Sequence, residues 1–147
     1  MDETGVHFVV RDENSILGAL RIKLAPFEFA VFSTELARIA ETLQGCVEIS
    51  RLGVTRQGRM LGAGPLLMAN ALQWALNEKI DSVVALCQAS VAKVFKAYGL
   101  QVYENRSFKL PQRASGSYLL MHGTSGSIGE AVEETFKTGH CVKSKNG

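Results

Sequence analysis

Little in this sequence would staple the chain or anchor it. Its three cysteines, Cys46, Cys87 and Cys141, are odd in number and widely spaced, and no C-x-x-C pair occurs. That excludes a disulfide framework and reads as reduced thiols in a cytoplasmic protein. At 147 residues staples are not needed, because a chain of that size buries roughly 68–70% of the surface its unfolded form exposes. No window approaches the run of about 20 apolar residues that a membrane-spanning helix requires. The start, Met1-Asp2-Glu3-Thr4-Gly5, is acidic and leads directly into an alternating run, so no signal peptide is expected.

A dominant charge is missing as well. Sixteen Lys plus Arg against fourteen Asp plus Glu leave a formal charge of +2, too small an excess to predict nucleic acid or a membrane surface as partner. His7, His122 and His140 lack the spacing of metal ligands, so no metal is expected. There is no low-complexity block, internal repeat or Pro/Gly/Ser linker. The chain therefore reads as one domain over residues 1–147, with 140–147 a polar, flexible tail.

The apolar pattern is that of a mixed α/β domain. Val6–Val10 and Ile16–Leu24, separated by Asp12-Glu13-Asn14-Ser15, read as a hairpin. In the second strand Leu20, Ile22 and Leu24 alternate with Ala19, Arg21 and Lys23, the period of a strand buried on one face. Ser33 or Thr34 opens a helix with the stripe Leu36, Ile39, Ala40 and Leu43, which Gly45 stops. Cys46–Val54 reads as a strand with Val47, Ile49 and Arg51 on one face and Glu48, Ser50 and Leu52 on the other. Pro65 to Ile80 is apolar nearly all round, as suits a helix packed tightly on a sheet, and Ser82–Cys87 is an apolar run expected of a strand buried on both faces. Ser90 is placed to cap a helix that Gly99 closes. Leu100–Tyr103 and Ser117–Met121 suit a final strand pair, and Ser127-Ile128-Gly129-Glu130 is a capping-box pattern opening a C-terminal helix to about Thr138.

The stretch Arg59-Met60-Leu61-Gly62-Ala63-Gly64 lies between a strand and a helix. Glycines let backbone approach a ligand closely, and first-turn N–H groups have no internal partners. With the helix dipole they make an anion site suited to a pyrophosphate. Arg59 adds a planar charged donor and Pro65 preorganises the first turn. A Walker loop is excluded because Gly-Lys-Ser/Thr is missing, and the dinucleotide fingerprint fails where Leu67 stands. The two glycines and the proline also suit a plain strand-to-helix turn.

Arg59-x-x-Gly62-x-Gly64 after a strand, then an apolar helix, a buried strand and a helix ending in Tyr98-Gly99-Leu100, resembles the GNAT superfamily of acyl-CoA-dependent N-acyltransferases. Within it, Glu48-Ile49-Ser50-Arg51-Leu52 is similar to the acyl-homoserine-lactone (autoinducer) synthases and the long-chain N-acyl amino acid synthases. The resemblance, which spans Val6 to Tyr103, implies an α/β (α+β) fold with a mixed central sheet flanked by helices. It also implies transfer of an acyl group from acetyl-CoA or a longer acyl-CoA, or from an acyl carrier protein, directly to the amine of a small amino-acid-like acceptor. It places the pyrophosphate on residues 59–64, the thioester carbonyl on the backbone of Leu52, Gly53 and Val54, and the proton for the thiolate on Tyr98.

Glu48 suits acceptance of the amine proton, a hold on the acceptor's ammonium, or an ion pair with Arg51 or another cation, and Ser50 and Arg51 suit substrate binding, Arg51 by a bidentate fork on a carboxylate or phosphate, or as a structural ion-pair partner. Trp74 and the Phe27, Phe29, Phe32 cluster suit either an acyl tunnel or the core, and Lys93 and Lys96 either the 3′-phosphate of coenzyme A or a solvated helix face. Two departures from the family's pattern stand out. The chain starts on the hairpin, so the resemblance implies an N-terminally truncated domain, short of the strand and helices that wall the acceptor site, and the C-terminal helix is extra. An identical partner subunit, in a homodimer, is expected to complete the sheet or the acceptor wall. The alternative function is a catalytically inactive CoA-binding or interaction module.

Overall fold

The computed structural model describes residues 5–43, 45–110 and 116–134. The flexible-tail expectation for 140–147, Cys141, His140 and the expected continuation of the C-terminal helix from 135 to 138 lie outside them. One six-stranded sheet organises the chain: β1 (Gly5–Arg11), β2 (Ile16–Lys23), β3 (Cys46–Val54), β4 (Ser82–Gln88), β5 (Gln101–Phe108) and β6 (Tyr118–Thr124), in the order β1-β2-β3-β4-β6-β5. All neighbours are antiparallel except β3 and β4, which run parallel.

Two apolar layers cover the sheet. On one face Leu67, Met68 and Leu72 of α3 (Ala63–Asn77) and Phe95 of α4 (Ala92–Ala97) pack on Leu20, Ile22, Val47, Ile49 and Val83. A helix α5 over residues 125–134 joins this layer through Ile128 and Val132, each 1% exposed. On the other face Phe27, Phe29, Leu36 and Ile39 pack on Cys46, Val84 and Leu120. They belong to α1 (Thr34–Thr42) and to the strap before it, residues 24–33 with a 3-10 turn at Glu28–Val31.

Several expectations hold and several shift. Ser33 caps α1, its hydroxyl accepting from the Leu36 N–H at 3.1 Å. The apolar helix begins two residues before Pro65, with Gly62 in the left-handed region (φ 76°) as its N-cap, and ends at Asn77. Ser90 caps nothing: it falls in a 3-10 turn, Ala89–Val91, ahead of α4. Thr124 rather than Ser127 starts α5, its hydroxyl accepting from the Ser127 N–H at 3.3 Å, which leaves Ser127 to donate to the Gly99 carbonyl at 3.0 Å. Arg21, placed by alternation on the polar face of its strand, is 3% exposed, because the strap lies over that face. Cys46 and Cys87 are buried free thiols, and Trp74 meets Phe8 edge-on with ring centroids 5.9 Å apart.

The decisive irregularity is in β3. Its pairing with β4 runs only from Cys46↔Ser82 to Glu48↔Val84; beyond that the two strands part. On its other edge, the two steps of β2 from Ala19 to Arg21 oppose the three of β3 from Ser50 to Gly53, a bulge with Arg51 at φ 55°. An extra residue reverses the facing of everything after it. Arg51 therefore sits with Glu48 and Ser50 on the strap side, and Leu52 joins the Val47 and Ile49 layer, the opposite of simple alternation.

The packing of α5 is testable. Ile128→Ala removes a core side chain and should lower unfolding free energy by about 2–5 kcal/mol. Gly129→Ala in the same helix, where an added Cβ meets nothing within 4 Å, should raise it by about 0.5–1 kcal/mol. Urea midpoints of the two variants measure both effects.

Candidate functional site

Where β3 and β4 part, a cleft of about 510 Å³ opens through the sheet. One wall is β3, from Glu48 to Leu52, and the facing wall is Leu86, Cys87 and Gln88 of β4. Val91 and Phe95 close it on the α4 side, and Glu28, Phe29, Phe32 and Tyr118 on the strap side.

Glu48 stands where the strands divide and is 2% exposed. One carboxylate oxygen accepts the Glu28 N–H at 2.6 Å and the other the Phe29 N–H at 3.0 Å, so Glu48 holds the strap against the sheet. Burial pushes its pKa above the ordinary glutamate value; the two N–H bonds and the Arg21 charge act against the shift, and the Glu28 charge adds to it. A buried carboxyl with a raised pKa beside a cleft has the properties of a proton acceptor.

Glu28 links the remaining charges. Its Oε1 lies 3.4 Å from Arg21 and its Oε2 3.0 Å from Arg51. Arg21 also donates to the Ser50 hydroxyl at 3.1 Å, its pairing partner across β2 and β3. Glu48, Ser50 and Arg51 thus meet at one place, together with Arg21 and Glu28, which sequence reasoning did not single out. The i, i+2 spacing Glu48–Ser50 signals a shared strand face, but nothing local reveals that Arg21 lies opposite Ser50. Arg51 pairs with Glu28, on the strap, rather than with Glu48.

The other expected residues separate into two groups. Leu52 lines the cleft, while Gly53 and Val54 pair with Ala19 and Gly18 of β2. Arg59 belongs to a short helix α2 (Arg56–Met60), and its guanidinium donates to the Val54 carbonyl at 3.1 Å. Met60 and Leu61 are exposed, Gly62 has no side-chain cap to offer, and the first α3 amides, of Ala63 and Gly64, follow it just beyond the end of β3. No residue from 59 to 64 lines the cleft itself.

Tyr98 does not line it either. Its hydroxyl donates to the Pro65 carbonyl at 3.2 Å in the first turn of α3, and burial pushes its pKa up. From α4 the side chain facing the cleft is Phe95, three residues earlier. Tyr98 sits among the core residues because it is the C-cap of α4, turned toward α3. Phe29 and Phe32 line the cleft and Phe27 does not; Lys93 and Lys96 are exposed. Burial holds the Cys87 thiol up at about 11, so it is a neutral wall of the cleft. Among the described residues no group of three or more His, Cys, Asp or Glu is placed to hold a metal ion, and no helix is long and apolar enough to cross a membrane.

Solved structures share this architecture. The CoA-dependent acyl-homoserine lactone synthase MesI superposes with a TM-score of 0.68 at 17% identity, over 92% of this chain and 69% of that one. An acyl-CoA N-acyltransferase from Pseudomonas aeruginosa gives 0.60 at 20%, over 82% and 68%. FeeM, an N-acyl amino acid synthase from uncultured soil microbes, gives 0.64 at 11%, over 85% and 75%. No curated protein sequence matches the chain. Residues 1–100 match the acetyltransferase (GNAT) family, and with that match over most of its length, on a sheet that parts between its two parallel strands, the chain belongs to the GNAT family of acyl-transferring enzymes.

Proposed function

We propose that the protein transfers an acyl group from acyl-CoA directly to the amine of a small, amino-acid-like acceptor, with the two substrates entering the cleft from opposite faces of the sheet. The observation that carries this reading is the parting of β3 and β4 at Glu48, which opens a passage between the α3/α4 face and the strap face. On the first face the Ala63 and Gly64 amides at the start of α3 receive the pyrophosphate, where the helix dipole favours an anion. The backbone of β3 beyond Glu48, freed from β4, leaves a polar edge at Leu52 for the thioester carbonyl.

On the strap face the acceptor amine meets Glu48. The ionised carboxylate takes one proton from the ammonium; the neutral amine attacks the carbonyl carbon, forming the C–N bond. The tetrahedral intermediate loses the second nitrogen proton to water and expels the thiolate, breaking the C–S bond and leaving the neutral amide, and the thiolate takes up a proton from water. Tyr98 has its hydroxyl on Pro65 and serves in this scheme to hold the start of α3 against α4. An acyl chain longer than acetyl would lie against Phe29, Phe32, Leu86 and Phe95, the apolar part of the lining.

Acyl-CoA should raise the melting temperature, and mixing it with acceptor amines should release free thiol. Gly62→Asp places an anion at the pyrophosphate seat; since an added Cβ at Gly62 meets nothing within 4 Å and aspartate tolerates a left-handed backbone, the fold should survive. Affinity for acyl-CoA should fall by about a hundredfold, the scale of a like-charge contact. Unchanged affinity would remove the basis of the reading, and stabilisation by acyl-CoA with no thiol released for any amine would favour the inactive binding module.

The proton step has its own signature. Glu48 must be ionised to act, and its pKa is raised, so kcat/KM should fall on the acid side along a limb lying above the ordinary value of 4.5. Glu48→Gln should abolish that limb and lower kcat about a hundredfold, within the range for a lost general base. Tyr98→Phe should instead keep kcat within about threefold while losing a buried hydrogen bond worth roughly 1 kcal/mol of stability. A Tyr98→Phe variant with the alkaline limb of its pH profile removed would return the acid role to that hydroxyl.

A further inference from the structure

Glu28 stands between Glu48 and the cations nearest to it. Lys23 is the cross-strand partner of Glu48, and Arg21 is the partner of Ser50, the next residue along the same face of β3. Opposed and diagonal pairs on one sheet face lie about 5 Å and about 7–8 Å apart, within reach of long side chains. A buried carboxylate flanked by two such cations is expected to pair with one of them. It pairs with neither: among the described residues its hydrogen bonds come from the Glu28 and Phe29 amides alone.

The strap draws both cations off. The Lys23 ammonium donates to the Pro26 carbonyl, and the Glu28 carboxylate takes Arg21 at 3.4 Å and Arg51 at 3.0 Å. The spaces on either side record the separation. Glu48 lines the cleft, and Arg21 and Lys23 do not. Those two line a second groove, of about 350 Å³, in which Glu48 has no part. Glu28 and Arg51 line both spaces, so their ion pair is the partition between them.

We propose that Glu28 is a positioning residue for the transfer step: its carboxylate holds Arg21 off Glu48, so that the buried carboxylate meets the acceptor's ammonium as a base not tied up in an ion pair. The catalytic meaning of this hold rests on the acyl-transfer reading above; the hold itself does not. The other groups around Glu48 leave the task to Glu28. Val84, its partner on β4, is apolar. Cys46, two residues earlier on β3, is a thiol that burial pushes toward its neutral form, and Cys87 and Tyr118 stand on the facing walls of the cleft. His7 lies opposite Arg21 on β1, one strand farther out. The two charges that act on Glu48 are Arg21, which favours its ionised form, and Glu28, which opposes it.

Glu28→Gln is isosteric, affects a side chain 30% exposed and keeps the backbone amide that Glu48 accepts from, so the fold should survive. The repelling anion is gone and Arg21 loses a carboxylate partner, and both changes favour ionised Glu48. The acid limb of kcat/KM should therefore move to lower pH by about one unit, the lower end of what one nearby charge does. A weaker base takes the amine proton less readily, so kcat on the plateau should fall about threefold, with KM for acyl-CoA, seated on the opposite face, unchanged.

Carbon-13 NMR of the glutamate carboxyls in the full chain reads Glu48 without turnover, its signal assigned by its loss in Glu48→Gln. The Glu48 titration and the acid limb should both lie about one unit lower in Glu28→Gln, and both near their wild-type positions in Glu28→Asp, which keeps the charge; melting curves verify that the variants are folded. An unmoved or raised titration in Glu28→Gln, or activity lost at every pH with the limb in place, as a merely structural residue would give, would overturn the proposal. A titration that shifts as expected in a protein that releases no thiol with any amine would support the hold on Arg21 and sink the transferase reading. Thiol release with the Glu48 titration unmoved would do the reverse.

Discussion

A carboxylate buried to 2% exposure in the middle of a sheet cannot stand without donors, and the donors that Glu48 finds are the backbone N–H groups of Glu28 and Phe29. That one side chain places the strap over the sheet. Once the strap is there, Phe27 and Phe29 have a core to enter, Glu28 projects between Arg21 and Arg51, and the side of the cleft away from α4 has a wall. Removing the carboxylate would leave two amides and two guanidinium groups competing for what remains. The cost of burying a charge is here met by the same bonds that build the site.

The bulge at Arg51 is the second constraint, and it acts with the first. A residue with a side chain held at φ 55° is a small reservoir of strain, tolerated where surrounding pairing over-determines it. Here Arg21↔Ser50 and Ala19↔Gly53 pin β3 on both sides of the bulge. The result is a guanidinium delivered to the strap side and a leucine delivered to the opposite core. On its other edge β3 pairs with β4 only as far as Glu48, and the cleft is the space beyond.

Much of the architecture was legible locally. The hairpin, the Ser33 cap, the all-round apolar helix and the largely buried β4 follow from period and capping, signals that reside within a few neighbouring residues. The motif Glu48-Ile49-Ser50-Arg51 pointed to the strand that lines the cleft, because charged and hydroxyl side chains on a central strand are expensive unless they have partners. What it could not convey were those partners. Arg21 is 29 residues from Ser50 and Glu28 is 23 from Arg51, separations that only register and strap placement bring together. Tyr98 is a second residue whose partner no local pattern conveys: its hydroxyl donates to the Pro65 carbonyl, 33 residues away in the chain.

By itself, the sequence determined the element order, the apolar faces, the glycine turn before α3 and the identity of the charged strand, since each depends on side-chain chemistry over a short span. Tertiary structure alone decided which strands part, which carboxylate meets which guanidinium, and that Glu28 separates a cleft from a second, cationic groove. The facing of Arg51 depends on one extra residue in β3 and the ion pairs of Glu28 on where a ten-residue strap comes to rest, and neither is encoded in any periodicity. Strand register and long-range hydrogen bonds are properties of the whole packed chain, fixed only when the competing burials are settled together.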